Sequence, residues 1–296
     1  PAILIRPKRG GDLDIAGTRY QGGLLLSAEK GDRLVASNLV EVEEYVAGVL
    51  LSEMPERFGQ EALRAQAVVA RTFALYQSRA GRTLRDDQGS QVYAGLRKVD
   101  DEVRRIVHST MGEVLTFEGE ILESYFHSTC GGVTCSAAGV FGIKRPPPLE
   151  GGGVCRDCRN SPHYHWTRDI PLACLAELYG GSFGSALELE VESRLPSGRA
   201  ETLVIRDRSG KKQDRLMADR FRSSFNAGRP LKEQLPSMFI ESIERFGSSL
   251  RITGKGFGHG VGLCQYGAGG MAGRGAGYRE ILSRYYPGAV IHRIYD

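Results

Sequence analysis

The sequence predicts an α+β protein: mixed, mainly antiparallel sheets with a few helices packed on them. Three observations predict it. Residues 2 to 40 read as short strands. Residues 42 to 79 carry two consecutive helical patterns. Residues 185 to 252 return to strand-and-turn sequence, with one short helix near Ala218. At 296 residues the chain suffices for one large domain or two ordinary ones, and we expect a strand region over 1–38 followed by a main domain over 39–296. Hydrophobic residues at 41% and charged residues at 25% place it among soluble globular proteins. A net charge of +4 is too small a surplus to point to nucleic acid. No run approaches the roughly 18 apolar residues that a transmembrane segment needs. Pro1-Ala2-Ile3 opens directly into strand-like sequence, with no export leader visible, which suits a cytosolic protein or the mature form of an exported one.

The elements follow in order. Ile3–Ile5, Gly22–Ser27 and Leu34–Val40 read as strands. Val42, Tyr45, Val46, Val49 and Leu50 recur at helical spacing, and Pro55 forbids continuation because it lacks an N–H and restrains the residue before it. A second helix over Gln60–Arg79 is Ala-rich, so it forms readily and packs closely. It reads as a buried scaffold helix, with Arg71 the exception. Asp86 to Tyr93 is a polar loop entering a short strand. Asp100–Ser109 is a third helix, ended by Gly112, and residues 113–117 and 120–126 alternate around Glu118-Gly119 as a hairpin. Residues 146–163, with three prolines and then Gly151-Gly152-Gly153, form an inserted loop rather than a linker, since cysteines on both sides can tie it down. Residues 254–277 hold 11 glycines, which suit tight turns and close backbone approach. Their alternate spacing from Gly254 to Gly262 is not the dinucleotide fingerprint. Tyr278–Tyr286 is a last helix.

Two constellations carry chemistry. Glu53 stands where the first helix must stop, facing a helix of little charge, and a carboxyl desolvated in this way tends to hold its proton as a general acid must. The plainer reading is a solvated helix end. His127-x2-Cys130 and Cys155-x2-Cys158 are two close-spaced pairs joined by a longer loop, the pattern of a tetrahedral, structural zinc site. Cys135 competes with His127 for a place in it, His163 and His165 are further candidates, and two disulfides are the alternative. Cys174 and Cys264 read as small buried apolar residues.

Six blocks occur in order: YVAGVLLSEMP from Tyr45, EALRAQAVVARTFAL from Glu61, SQVYAG from Ser90, ESYFHSTCGG from Glu123, GFGHGVGLCQYGAGGMA from Gly256 and EILSRYYPG from Glu280. Together they closely resemble the stage II sporulation protein D (SpoIID/LytB) family over roughly residues 35 to 294. Members of that family are extracytoplasmic peptidoglycan lytic transglycosylases or are described as enhancers of amidase autolysins, and some bind zinc. The resemblance implies that residues 39–296 are the catalytic domain, that a long substrate groove crosses Glu53, and that Glu53 is the single acid and base. One carboxyl suffices because the C6 hydroxyl of N-acetylmuramic acid can attack and close a 1,6-anhydro ring. It further implies glycan contacts from Arg71, Ser90, Gln91 and Tyr93, and from His259, Gln265 and Tyr266. Asp86 and Asp87 could supply a second carboxylate for a hydrolase. The implied partners are peptidoglycan glycan strands and other wall hydrolases such as an amidase. The implied location is outside the cytoplasm. The rival reading is a non-catalytic wall-binding module that stimulates an amidase.

Overall fold

The computed structural model describes residues 2–8, 11–29, 33–87, 89–183, 187–207 and 213–295, which form eight α-helices and several mostly antiparallel sheets. This is an α+β protein. By its contacts the chain falls into two units: Pro1–Tyr125 with Ala272–Leu282 and Ala289–Asp296, and Phe126–Met271 with Ser283–Gly288. Residues 1–38 group with the helices that follow them in the first unit.

In the first unit, helix α1 (Val42–Glu53) ends at Met54, whose φ of −128° and ψ of 123° are the extended values imposed on a residue before proline. Helix α2 (Gln60–Arg79) is the central element. Its Ala, Val and Leu positions from Ala62 to Ala74 are nearly all buried, and small side chains let neighbours crowd it on every side. Helix α3 (Asp101–Ser109) is capped by Asp100, whose carboxylate accepts the Val103 N–H at 2.9 Å, and it buries Val103, Ile106 and Val107. A three-stranded antiparallel sheet has Gly23–Glu29 at its centre, between Ala2–Ile5 and Arg33–Leu39. Strand Glu113–Phe117 pairs with Val290–Arg293 on one side and Glu120–Ile121 on the other. The hairpin turn is the expected one: Glu118 and Gly119 both have positive φ, 52° and 85°. Its second arm, expected to run to residue 126, stops at Ile121. Beyond it the chain anchors on α2 by side chains instead. Gln77 Nε2 donates to Glu123 Oε1 at 3.0 Å, and Ser124 Oγ donates to Val69 O at 2.8 Å.

In the second unit, Ser249–Lys255 lies between Phe239–Phe246 and His165–Pro171, and Ala200–Asp207 lies between Leu187–Arg194 and Gln213–Met217, all antiparallel. Helix Ala218–Asn226 begins where the sequence placed it. Trp166, Leu175, Leu203, Phe221, Met238 and Ile252 are part of one apolar core. Beside these sheets, Phe126–His127 pairs in parallel with Leu263–Cys264, so the segments around residues 130 and 264 run side by side. Gly256, Gly258, Gly260 and Gly262 all have positive φ. A Cβ on Gly256 would sit 2.6 Å from Thr129 O, and one on Gly260 would sit 2.5 Å from Arg199 Nε. Alternate glycines let this backbone press against residues 127–131 and the buried Arg199. No helix among the described residues is long and apolar enough to cross a membrane.

Candidate functional site

Glu53 is the last residue of α1 and is half-buried. The segment Gln91–Gly95 is held along the same helix. Ala94 N–H donates to Gly48 O at 3.3 Å, and Val92 N–H donates to Glu53 Oε1 at 2.5 Å. Gly48 permits the approach: a Cβ there would lie 2.5 Å from the Tyr93 ring and 2.8 Å from Gly95 O. Tyr45, two turns before Glu53, donates its hydroxyl to Gln91 Oε1 at 2.9 Å, and Gln91 Nε2 reaches Ala70 O of α2 at 3.4 Å. Burial, and then the charge of Glu53, pushes the Tyr45 hydroxyl well above the usual phenol range. Lys98 Nζ takes Leu51 O at 3.1 Å and so brings a positive charge to the end of α1. The result is a half-buried carboxyl with one oxygen fixed by a backbone donor, an arrangement able to give and take a proton in a set direction.

The other predicted contacts of this unit divide. Arg71 is fully buried, and its guanidinium is spent on Glu43 through two bonds of 2.8 and 2.7 Å and on Glu113 O at 3.0 Å. These bonds tie α2 to α1 and to the strand that Glu113 opens. Gln91 is fully buried and bound at both ends, so it holds the loop. Tyr93 is half-buried, its ring centroid 5.0 Å from that of Tyr45 and tilted 31° to it, with its hydroxyl donated to Asn38 Oδ1 at 2.7 Å. Ser90 Oγ accepts the Arg85 N–H at 3.2 Å. Asp87 binds Arg85 and the Gly89 N–H of its own loop, and Asp86 is exposed. Glu43, Tyr45 and Gly48 were missed. Their partners lie far along the chain, and no spacing reveals them.

In the second unit, His259 Nδ1 accepts the Val261 N–H at 3.0 Å, and burial, followed by His127 and two arginines, holds its imidazole neutral. Gln265, expected as a glycan contact from the glycine-rich run, is buried at the start of helix Gln265–Ala272. Tyr266 is half-buried, with its N–H bound to Ser128 O.

The metal reading changes by one ligand. Cys130, Cys155, Cys158 and Cys264 are all buried, with sulfurs within 4.8 Å of one another and those of Cys130 and Cys158 3.5 Å apart. Four thiolates at about 2.3 Å around one zinc stand about 3.8 Å apart, so the set fits a tetrahedral ion. The Cys130 N–H points at Cys264 Sγ (3.3 Å) and the Gly132 N–H at Cys130 Sγ (3.4 Å), while the Tyr285 hydroxyl lies 3.3 Å from Cys155 Sγ. Donors of this kind offset the negative charge that four thiolates gather. A Cβ on Gly267 would lie 2.6 Å from Cys155 Sγ, so that glycine keeps room for the cluster. His127 is not in the set. Its Nδ1 donates to Val261 O at 3.0 Å, and burial, with Arg199 adding to it, pushes its imidazole down to about 3. The parallel strand pair brings Cys264 in instead. Cys135 meets Ser197 Oγ at 2.9 Å, His163 stacks on Phe257, and His165 faces Glu241, so none of the rival ligands joins either. All six cysteines are free thiols.

Comparison with known proteins adds to this. A family model described as stage II sporulation protein matches residues 30–117. Stage II sporulation protein D of Bacillus subtilis is 32% identical over 273 residues, covering 85% of this chain and 74% of that protein. An uncharacterised protein of Brachyspira hyodysenteriae is 34% identical over 283 residues, 93% of this chain and 73% of its own length. The amidase enhancer of Bacillus subtilis is 25% identical over 287 residues, 82% of this chain but 40% of that protein.

Proposed function

Since the chain belongs to the stage II sporulation protein D family, we propose that it is a peptidoglycan lytic transglycosylase with Glu53 as its general acid and base. The observation that carries this is the carboxyl at the end of α1, half-buried and oriented by the Val92 N–H. Glu53 gives its proton to the oxygen linking N-acetylmuramic acid to N-acetylglucosamine, and that bond breaks as positive charge grows at the muramyl C1. The muramyl C6 hydroxyl then attacks C1 and returns its proton to Glu53. A 1,6-anhydro ring closes and no water is consumed. The nucleophile belongs to the substrate, so the step is intramolecular and needs no second carboxylate. Asp87, already spent on Arg85 and Gly89, is consistent with that economy. Ser90 and Tyr93 flank the same loop and are the glycan contacts this reading retains near Glu53. The substrate lies in the cell envelope, so the protein works outside the cytoplasm. Cys130, Cys155, Cys158 and Cys264 would hold a structural zinc, which supplies cross-linking when bound, with no part in the proton transfers.

The test is incubation with purified glycan strands, with and without stem peptides, followed by mass analysis. The product should end in 1,6-anhydro-N-acetylmuramic acid, lighter by one water than a hydrolytic product, and Glu53→Gln should lower turnover by about 100-fold or more. A folded Glu53→Gln protein with wild-type turnover refutes the assignment. Likeness to the amidase enhancer favours a second reading, a wall-binding protein that stimulates an amidase. Tight binding to wall with no glycan cleavage, and a faster amidase in its presence, would select it.

A further inference from the structure

We infer that Tyr45 and Gln91 are positioning residues, which act on Glu53 by locking the backbone N–H of Val92 onto its carboxyl. The inference rests on the acid–base reading of Glu53 and goes beyond it by naming what sets that carboxyl.

The segment from Gln91 to Gly95 belongs to no helix or strand. A loop N–H is a dependable partner only if the loop cannot drift. Three contacts hold it here, one on each side of Val92 and one beneath. On the N-terminal side the buried Gln91 amide joins α1 to α2, accepting from the Tyr45 hydroxyl and donating to Ala70 O. On the C-terminal side Ala94 N–H is tied to Gly48 O. Beneath, the Tyr93 ring rests where a side chain at residue 48 would be, packed 5.0 Å from Tyr45, with its hydroxyl on Asn38. The Val92 N–H then has one direction left, toward Glu53 Oε1.

The clamp has a chemical consequence. An N–H held on one carboxyl oxygen fixes the plane of the group, and with it the direction from which a proton can be delivered. The charged and titratable groups around this end of α1 include Tyr45 and Glu44 from α1 itself, Lys98 and Tyr93 from the loop region, and Tyr20, whose ring lies 5.9 Å from that of Tyr93. Tyr45 cannot replace Glu53 as the donor, because its hydroxyl proton is committed to Gln91.

The variants Tyr45→Phe, Gln91→Met and their double combination test this. Gln91→Met keeps the bulk and removes both hydrogen bonds, whereas Tyr45→Phe removes a single hydroxyl and so remains informative if the other variant folds poorly. The first measurement needs no substrate: the Val92 amide proton is followed by NMR as pH is lowered. In the wild type it should move as the carboxyl it binds takes a proton, and in Glu53→Gln that movement should vanish. In Tyr45→Phe and Gln91→Met it should shrink by half or more, about what loss of a held geometry allows. The second measurement is kinetic. Each variant should lose about 10- to 100-fold in kcat with KM within about twofold. The double variant should be no slower than the worse single one, because both remove the same lock. A folded Gln91→Met protein with a wild-type Val92 titration and wild-type kcat overturns the inference. Wild-type activity in Glu53→Gln would instead sink the catalytic reading, and the amide titration would still decide whether Tyr45 and Gln91 hold that carboxyl.

Discussion

Arg71 carries a fully buried charge that joins three parts of the first unit. Its guanidinium meets Glu43 bidentately, and Glu43 also accepts the Gly112 N–H and the Tyr295 hydroxyl, so one ion pair gathers α1, α2 and the chain's last strand region. Arg71→Met leaves the Glu43 carboxylate partly buried without its cation, and should cost about 3–5 kcal/mol in urea unfolding at neutral pH. The pH dependence has a definite sign. Burial raises the Glu43 carboxyl, but Arg71, Tyr295 and Gly112 together outweigh it and hold it below its ordinary 4.5. Its contribution is therefore fully present above that ordinary value and is lost as pH falls through the lower folded value. Arg71→Met should flatten this acid limb of the stability curve, and an unchanged limb would show that another carboxyl governs it. At this scale the sequence was half legible. Pro55 announced where Glu53 must stand, since chain chemistry alone ends the helix there. Arg71 lies among the Ala and Val positions of α2, and its ion pair was not legible because Glu43, 28 residues earlier, belongs to a different helix.

Among the elements, the glycine-rich run is the most exacting. Its alternation announced close backbone approach, but what is approached lies elsewhere in the chain and left no local signal. The approach can be tested by contrast. Gly119 has positive φ with nothing near its missing Cβ, so Gly119→Ala should cost about 1–2 kcal/mol, the strain of the left-handed backbone. Gly260→Ala carries the same strain and also drives a methyl into Arg199, whose other nitrogens are already bound to Gly258 O and Cys130 O. It should cost about 2–5 kcal/mol in all. Equal losses for the two in thermal unfolding would mean that Arg199 yields easily. The hairpin at residues 113–121 shows the same division. Its turn was legible from Glu118-Gly119, whereas its early end was not, because Glu123 and Ser124 are claimed by α2.

For the molecule as a whole, the α+β class was legible from the order of strand-like and helical stretches. The chain's passage between units at residue 126 and again at 272 was not, since composition does not change at either point. The Pro/Gly-rich stretch that would ordinarily mark a linker lies inside the second unit. The fourth cysteine was hidden for the same reason: Cys264 has no close-spaced partner, and only the parallel strand pair brings it to the others. Elemental analysis of protein purified without chelator should find about one zinc per chain. Cys264→Ser should lose it, while Cys135→Ser and His127→Gln keep it. Chelation should lower the melting temperature before it affects catalysis. Metal retained by Cys264→Ser but lost by His127→Gln would restore the histidine to the site.

The pairing of residues 126–127 with 263–264 also sets a schedule. A chain made from its N-terminus presents three of the four thiols early and the last only after roughly a hundred further residues, so if the cluster holds a metal, its full set of ligands would be complete only once Cys264 is made. When Cys264 arrives it closes a loop of that length, a constraint on the unfolded chain of about 4–5 kcal/mol by analogy with a disulfide. The glycine-rich run is thereby seated in the same event that completes the ion's shell. Zinc should then slow unfolding of the full chain in denaturant while leaving its refolding rate nearly unchanged, and should do neither for Cys264→Ser, so that the metal acts as a latch on the finished protein and not as a nucleus for the young one.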